Sequence, residues 1–324
     1  MVTAKRREYP MSEYIFDLDP SITRQSVSYP NRFGISLSGD LYLPPGGEAK
    51  GPYPALIIGA PYGGVKEQGP GVYANVLAQR GFAVLTFDPS YNGYSEGEPR
   101  RVSSPELFVE DFSAGVDFLG TRPFVAREKI GVIGICGSGG FGLAAAQVDR
   151  RIKAVATVSM YDICRMQAEG FGGSLSAEDR VAQLDAIAAQ RYVDFETGRP
   201  GLTGRGAPLD FRNADNPVGE EFGAFYSTQR GYHPNSSTQF TQSSSMAFMA
   251  FPLLERLDWI ADRPILLVMG ETAHSRYFTE DVFAQASEPK ELLVVPGAGH
   301  VDLYDRVDLI PFDRLERFFR DAVG

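Results

Sequence analysis

The chain has 324 residues with 31 basic and 41 acidic side chains, a formal charge of −10 and 43% hydrophobic residues. These ordinary globular values exclude a disordered or repeat-built chain, and the acidic balance leaves no basic footprint for nucleic acid or for an anionic membrane surface. Two cysteines are too few for a disulfide framework, no apolar leader opens the chain and no stretch nears the ~20 apolar residues of a membrane span, so a cytoplasmic location is expected.

In chain order, residues 1–22 read as a polar arm with Pro10 and Pro20. Two strand-like segments follow, Gln25–Tyr29 and Gly34–Leu43, the second ended by Pro44-Pro45-Gly46-Gly47. A regular alternation then begins. Ala55–Gly59 is a short apolar strand of the buried parallel type, followed by a Gly- and Pro-rich loop and a helix over about Val72–Arg80 that stops at Gly81. Ala83–Phe87 is a strand, Asp88–Glu98 a turn-rich loop, and residues 105–119 a helix with Leu107, Phe108, Phe112, Val116 and Leu119 at core spacing and Gly120 as its C′ residue. Strands are predicted at Ile130–Ile135, Ala154–Ser159, Ile265–Met269 and Leu292–Val295. Helices are predicted after the glycine cluster at 137–142, near Glu280–Ala286 and over Phe312–Val323. Such alternation predicts an α/β fold with a doubly wound, mostly parallel sheet.

One region breaks the rhythm. No parallel strand is apparent between Asp162 and Leu254, where a helix-like piece (Ala177–Gln190), a Gly/Pro-rich stretch (Thr197–Ala207) and an uncharged run (Gly231–Leu254) follow one another. Ninety residues are too many for a plain loop. They read as a helical cap over 163–254, inserted into a core formed by 23–162 and 255–324; the alternative is a set of extra helices covering a sheet edge.

The chemistry concentrates in Gly134-Ile135-Cys136-Gly137-Ser138-Gly139-Gly140-Phe141-Gly142, between a strand and a helix. One reading is a nucleophile elbow, small–x–nucleophile–x–small, with Cys136 raised on a strained turn at a helix N-terminus whose dipole favours thiolate. The Gly137 N–H then faces a developing oxyanion. A second reading is a dinucleotide loop, because Gly137-x-Gly139-x-x-Gly142 matches that fingerprint and Asp162 follows the next strand; at least four strands precede it, however, whereas a dinucleotide domain usually opens with this unit. A third makes Cys136 a small buried hydrophobe. Ser138 is a rival nucleophile, but it sits two residues further into the helix turn.

A nucleophilic cysteine needs a base. The chain has three histidines, His233, His274 and His300. His300 ends Pro296-Gly297-Ala298-Gly299-His300, directly after the last predicted strand, and is the candidate base. Gly59-Ala60-Pro61-Tyr62-Gly63-Gly64 follows the first parallel strand, which makes the Tyr62 N–H the candidate second oxyanion donor beside Gly137.

These features resemble the α/β-hydrolase superfamily across about 30–160 and 255–324. Gly134-Ile-Cys136-Gly-Ser-Gly-Gly is similar to the cysteine elbow of dienelactone hydrolases, which implies Cys136 as nucleophile, His300 as base and Glu67 against the resting thiol. Gly63-Gly-Val-Lys-Glu67-Gln, Gly231-Tyr-His-Pro, Gly270-Glu-Thr-Ala-His274-Ser-Arg-Tyr-Phe and Gly299-His-Val-Asp-Leu-Tyr resemble the polyketide transferase-like group more closely. That resemblance implies acyl transfer or hydrolysis on a small-molecule ester, thioester or lactone, without a cofactor. The chain departs from the superfamily where a triad aspartate is expected in Gly-Glu-x-Asp, because that position is Ala273. Asp162 and Glu271 are the acid candidates, while Asp302 and Asp305 lie near His300 in sequence. A cysteine tolerates a weaker acid than a serine, since a thiol ionises more easily. His274 is a candidate contact to substrate or cap. The uncharged run carries Tyr232, Phe240, Phe248 and Phe251 with Ser236, Ser237, Ser243, Ser244 and Ser245, which suits a pocket for a neutral, apolar acyl group. The same aromatics could equally seat the cap on the core.

Overall fold

The computed structural model describes residues 14–204, 216–236 and 238–323. Most of the predicted arm, the end of the Gly/Pro-rich stretch (205–207) and Ser237 lie outside the described residues. The elements in chain order are β1 (Thr23–Pro30), β2 (Ser36–Leu43), β3 (Tyr53–Gly59), α1 (Gly69–Gln79), β4 (Ala83–Phe87), α2 (Pro105–Gly120), β5 (Val125–Ile135), α3 (Gly137–Val148) and β6 (Ile152–Val158). Then come α4 (Ile163–Glu169), α5 (Ala177–Thr197), α6 (Pro217–Tyr226), α7 (Ser244–Ala250), β7 (Ile265–Gly270), α8 (Arg276–Gln285), β8 (Lys290–Val295), α9 (Asp302–Asp305) and α10 (Phe312–Val323).

One eight-stranded sheet has the order β1-β2-β4-β3-β5-β6-β7-β8. The β1–β2 and β2–β4 pairs are antiparallel, and every pair from β4 through β8 is parallel. This is an α/β-hydrolase fold. Its central strands are apolar on both faces because helices cover both: every residue of β4 is buried, as are the last six of β5. Chain order reverses between β3 and β5, since β4 lies outside β3 and β5 returns to its other side. Ligands of open α/β sheets settle at the carboxyl ends of strands beside such a reversal. The glycine elbow leaves β5 there, and the Tyr62 loop leaves β3 beside it.

Two boundaries differ from the sequence expectation. The helix expected to stop before Gly120 runs through that residue and is capped by Thr121, because the chain needs no left-handed turn there. The helix expected near Glu280 begins at Arg276, one turn earlier, which places the chain just before it close to the end of β7. Among its described residues, the segment between β6 and β7 carries four α-helices and no strand of the sheet. Among the described residues, no helix is long and apolar enough to cross a membrane.

Candidate active site

Cys136 stands between the last residue of β5 and the first of α3, at φ 54° and ψ −121°. A non-glycine residue in this region costs about 1–3 kcal/mol and persists only where its surroundings fix it. Its N–H bonds to the Val158 carbonyl (2.9 Å), and its carbonyl accepts from the N–H groups of Gly139 and Tyr161 (both 2.9 Å). The glycines around it answer to close packing. A Cβ on Gly134 would strike the Ser138 carbonyl, and one on Gly137 would stand 2.8 Å from the Tyr62 Cβ and 3.0 Å from Ile163. On Gly139 it would meet Met160, and on Gly142 it would meet Val132. The space these glycines clear is therefore filled by protein, which removes the ground for a dinucleotide loop. Ser138 gives its hydroxyl proton to the Ala60 carbonyl at 2.5 Å and ties α3 to the end of β3, so it is not presented as a nucleophile.

The Cys136 sulphur faces the backbone N–H groups of Tyr62 and Gly137 and the Tyr304 hydroxyl, all of which favour its thiolate form. The sequence-predicted donor pair is thus brought to one sulphur. The expectation that the helix N-terminus would lower the thiol's pKa is not met: burial outweighs these donors and pushes the thiol up to about 11. The resting group is a neutral thiol.

His300 follows β8 and is completely buried. Its Nδ1 lies 2.6 Å from the Ser275 hydroxyl and its Nε2 lies 2.8 Å from the Tyr304 hydroxyl. Burial, reinforced by the neighbouring His274, holds its pKa well below the ordinary histidine value, so the ring is neutral. Neither acid candidate reaches it. Asp162 is the N-cap of α4, accepting from the Arg165 N–H at 3.0 Å, and Glu271 accepts from the Gly297 N–H at 2.8 Å. The place beside Nδ1 belongs to Ser275, two residues past Ala273. Asp302 and Asp305 both pair with Arg230 instead.

His274 lies with its ring 4.6 Å from that of His300. Its Nδ1 meets Glu221 at 2.9 Å and its Nε2 the Tyr161 hydroxyl at 2.7 Å. Glu221 comes from α6, and its other oxygen accepts from the Val301 N–H at 3.0 Å. Phe222, on the next position of α6, packs edge-on against both histidine rings. Ser275, Tyr304, Tyr161 and Glu221 were not singled out from sequence. Tyr304 carried a signal, because His300 and Tyr304 are four residues apart and a single helical turn stacks such a pair.

Glu67 is not at the thiol. It is buried against the Lys66 ammonium, which also lies 3.5 Å from Asp88; burial and Asp88 push the Glu67 carboxyl up to about 8. His233 belongs to the same neighbourhood, with its ring edge-on to Tyr94. Phe240 stacks on the Tyr62 ring at 4.2 Å and lines a cavity. Phe248, expected in the pocket, is fully buried and packs edge-on to Tyr62 and Phe141; it seats the inserted segment on the core.

The cavity has a volume of about 440 Å³, and Tyr62, Tyr161, Met166, Phe171, Phe240 and Ser244 are among its walls. Two of these walls adjoin the elbow, because the Tyr62 N–H faces the Cys136 sulphur and the Tyr161 N–H bonds to the Cys136 carbonyl. A second cleft, about 600 Å³, is lined by Asp162, Cys164, Arg165, Phe251 and Asp281, and neither space has Cys136 or His300 in its walls. The second cleft is the larger space, but only the first has Tyr62 and Tyr161, the neighbours of Cys136, in its walls.

Comparison with known proteins places the chain. Residues 34–208 match the family model described as X-Pro dipeptidyl-peptidase (S15 family). Protein PA2218 of Pseudomonas aeruginosa is 49% identical over 94% of this chain and 82% of its own, and its crystal structure superposes with a TM-score of 0.92 at 47% identity over 96% and 97% of the two chains. Thiohydrolase aneE of Aspergillus aculeatus is 30% identical over 67% of this chain and 68% of its own, and polyketide transferase af380 of Aspergillus fumigatus is 30% identical over 87% and 92%. At 21% identity, the α/β hydrolase GrgF of a Penicillium species shares the fold, with a TM-score of 0.78 over 93% of this chain and 99% of its own. The chain is a hydrolase-type enzyme and belongs to the X-Pro dipeptidyl-peptidase (S15) family, built on the α/β-hydrolase fold.

Proposed function

We propose that the protein is an acyl-transfer enzyme in which Cys136 takes an acyl group from an ester, thioester or lactone and His300 serves as the base. The observation that carries this reading is the position of the Cys136 sulphur, on a positive-φ elbow and facing the N–H groups of Tyr62 and Gly137. Two backbone donors that converge beside a nucleophile can hold a tetrahedral oxyanion once the substrate oxygen takes the sulphur's place between them.

When a substrate carbonyl oxygen enters the N–H pair, the sulphur turns out of it toward the carbonyl carbon. His300 accepts the thiol proton, the carbon–sulphur bond forms, and the oxyanion rests on the two N–H groups. Collapse expels the leaving group, which takes up the proton. The product is a thioester on Cys136, still reactive toward water or an alcohol, so hydrolysis and transfer share one intermediate. Tyr62, Phe171 and Phe240 give the cavity beside the elbow an aromatic wall, and Ser244 adds a hydroxyl, which suits a neutral acyl group. The names of two relatives, a thiohydrolase and a polyketide transferase, support the same substrate class. In this reading the segment 163–254 is the cap that walls the cavity.

The test is intact-mass spectrometry after brief exposure to activated acyl thioesters, on the wild type, Cys136→Ala and His300→Ala. A transient acyl adduct on Cys136 that forms slowly without His300 is the expected result. An adduct that persists in Cys136→Ala sinks the reading. Added alcohols then separate transfer from hydrolysis. Charged small acyl groups reacting faster than apolar ones of equal size would overturn the assignment of the cavity.

A further inference from the structure

One hydroxyl neighbours both the Cys136 thiol and the His300 ring. His300 Nε2 is engaged by the Tyr304 hydroxyl at 2.8 Å, and the same hydroxyl faces the Cys136 sulphur. Tyr304 is completely buried. It is held on α9, one turn after His300, with its ring edge-on to Phe225 at 5.3 Å and to His300 at 5.4 Å. The Tyr226 hydroxyl bonds to it as well. Cys136, His300 and Tyr304 are all buried, and the Tyr304 hydroxyl is the group placed to connect sulphur and imidazole.

We propose that Tyr304 is a catalytic residue: its hydroxyl carries the thiol proton from Cys136 to His300 Nε2 and brings it back to the leaving group. This rests on the reading of Cys136 as nucleophile and His300 as base. Hydrogen-bond direction makes the relay self-consistent. In the resting site the S–H donates to the Tyr304 oxygen, the Tyr304 O–H donates to Nε2, and Nδ1–H donates to Ser275. During attack, the S–H bond breaks and its proton joins the Tyr304 oxygen, while the proton already there moves to Nε2. The sulphur electron pair forms the bond to the carbonyl carbon, and the carbonyl pair moves onto oxygen. In collapse, the leaving atom keeps the electrons of its bond to carbon and takes a proton from Tyr304, which regains one from the imidazolium. Tyr304 is neutral before and after, and two protons move in each step.

The relay also accounts for a base without a carboxylate. The imidazolium exists only while a thiolate or oxyanion stands nearby, and the chain of hydroxyls Ser275–His300–Tyr304 spreads its charge without a permanently buried ion.

The test measures acylation by an activated thioester on the full chain, comparing Tyr304→Phe, His300→Ala and the double variant, with Cys136→Ala as the blank. Tyr304→Phe is expected to slow acylation by at least ~100-fold, a general acid–base effect, and the double variant to be little slower than either single one. Retention of the wild-type rate within a few-fold in Tyr304→Phe, with His300→Ala still slow, overturns the relay and leaves the Cys136–His300 reading standing. Acylation unaffected in both Cys136→Ala and His300→Ala overturns that reading itself. Should Tyr304→Phe fail to fold, 3,5-difluorotyrosine at position 304 keeps the hydroxyl and changes only its proton affinity. A displaced pH–rate profile supports the relay, and an unchanged one opposes it. In mixtures of light and heavy water, a bowed dependence of the acylation rate is expected for two protons in flight; a straight line excludes them.

Discussion

The two halves of the active site are built in different ways. The elbow half is local. Cys136 and Gly137 adjoin in one strand–turn–helix, and Tyr62 comes from the loop that leaves the neighbouring strand β3. Its geometry follows from backbone: a positive φ, glycines pressed against Ser138 and Tyr62, and N–H groups fixed by the sheet. The histidine half is assembled. His300 and Tyr304 follow β8, Ser275 and His274 follow β7, and Glu221 arrives on α6 from more than fifty residues upstream of His274. The first half depends on tight turns that tolerate no added atom. The second depends on side-chain hydrogen bonds that a neighbouring group can partly replace.

This contrast is best broken at its rigid end. Gly137→Ala places a Cβ 2.8 Å from Tyr62 and 3.0 Å from Ile163, so one of the two proposed oxyanion donors must shift. Acylation should fall ~10²–10³-fold, the usual cost of losing such a donor, while circular dichroism reports an intact fold. A rate within a few-fold of wild type would mean that the N–H pair does not hold the oxyanion.

The assembled half should yield more gently. Ser275→Ala leaves the buried His300 Nδ1 without its partner at a cost of about 1–3 kcal/mol, read by urea denaturation. Acylation should drop ~10-fold, because a neutral hydroxyl orients the ring without supplying a countercharge. A loss as large as that of His300→Ala would show that Ser275 does more than orient.

The pH dependence separates the halves again. His300 is neutral to well below its ordinary pKa, and the thiol stays protonated up to about 11. The acylation rate should therefore be nearly level between about pH 7 and about pH 9, since neither group changes charge there. For the same reason the resting thiol should react slowly with iodoacetamide at neutral pH and faster as the pH nears that of its ionisation. Fast alkylation at pH 7 would mean that the thiol rests as thiolate.

The smallest effects are expected at the two sequence-derived acid candidates. Glu271→Gln should leave acylation within about two-fold, because its carboxylate serves Gly297 rather than His300. Asp162→Ala should cost about 1 kcal/mol through loss of the α4 N-cap and little activity. A strong activity loss in either would require the acid to reach His300 in a rearranged site.

Legibility in the sequence followed locality. The sheet, its helices and the elbow were readable because strand and helix periodicity and the small–x–Cys–x–small pattern extend over a few residues. Tyr62 and His300 were readable because each follows a core strand at the sheet's carboxyl edge. The acid was misjudged for the converse reason. Asp162 and Glu271 both stand at the right edge, but their side chains are claimed by nearby N–H groups, a local competition that spacing does not display. Phe248 was misplaced because a buried seating aromatic and a pocket aromatic look alike in sequence.

The sequence by itself determined an α/β-hydrolase core, a cysteine on its elbow and a histidine after the last strand, since each follows from contiguous residues. Only the tertiary structure decided that Ser275 takes the place beside His300, that the Tyr304 hydroxyl neighbours both His300 and Cys136, and that Glu221 and His274 form a separate pair. Those contacts join residues from separate elements, and their energies depend on burial and hydrogen-bond geometry that exist only after the sheet has brought its carboxyl ends together.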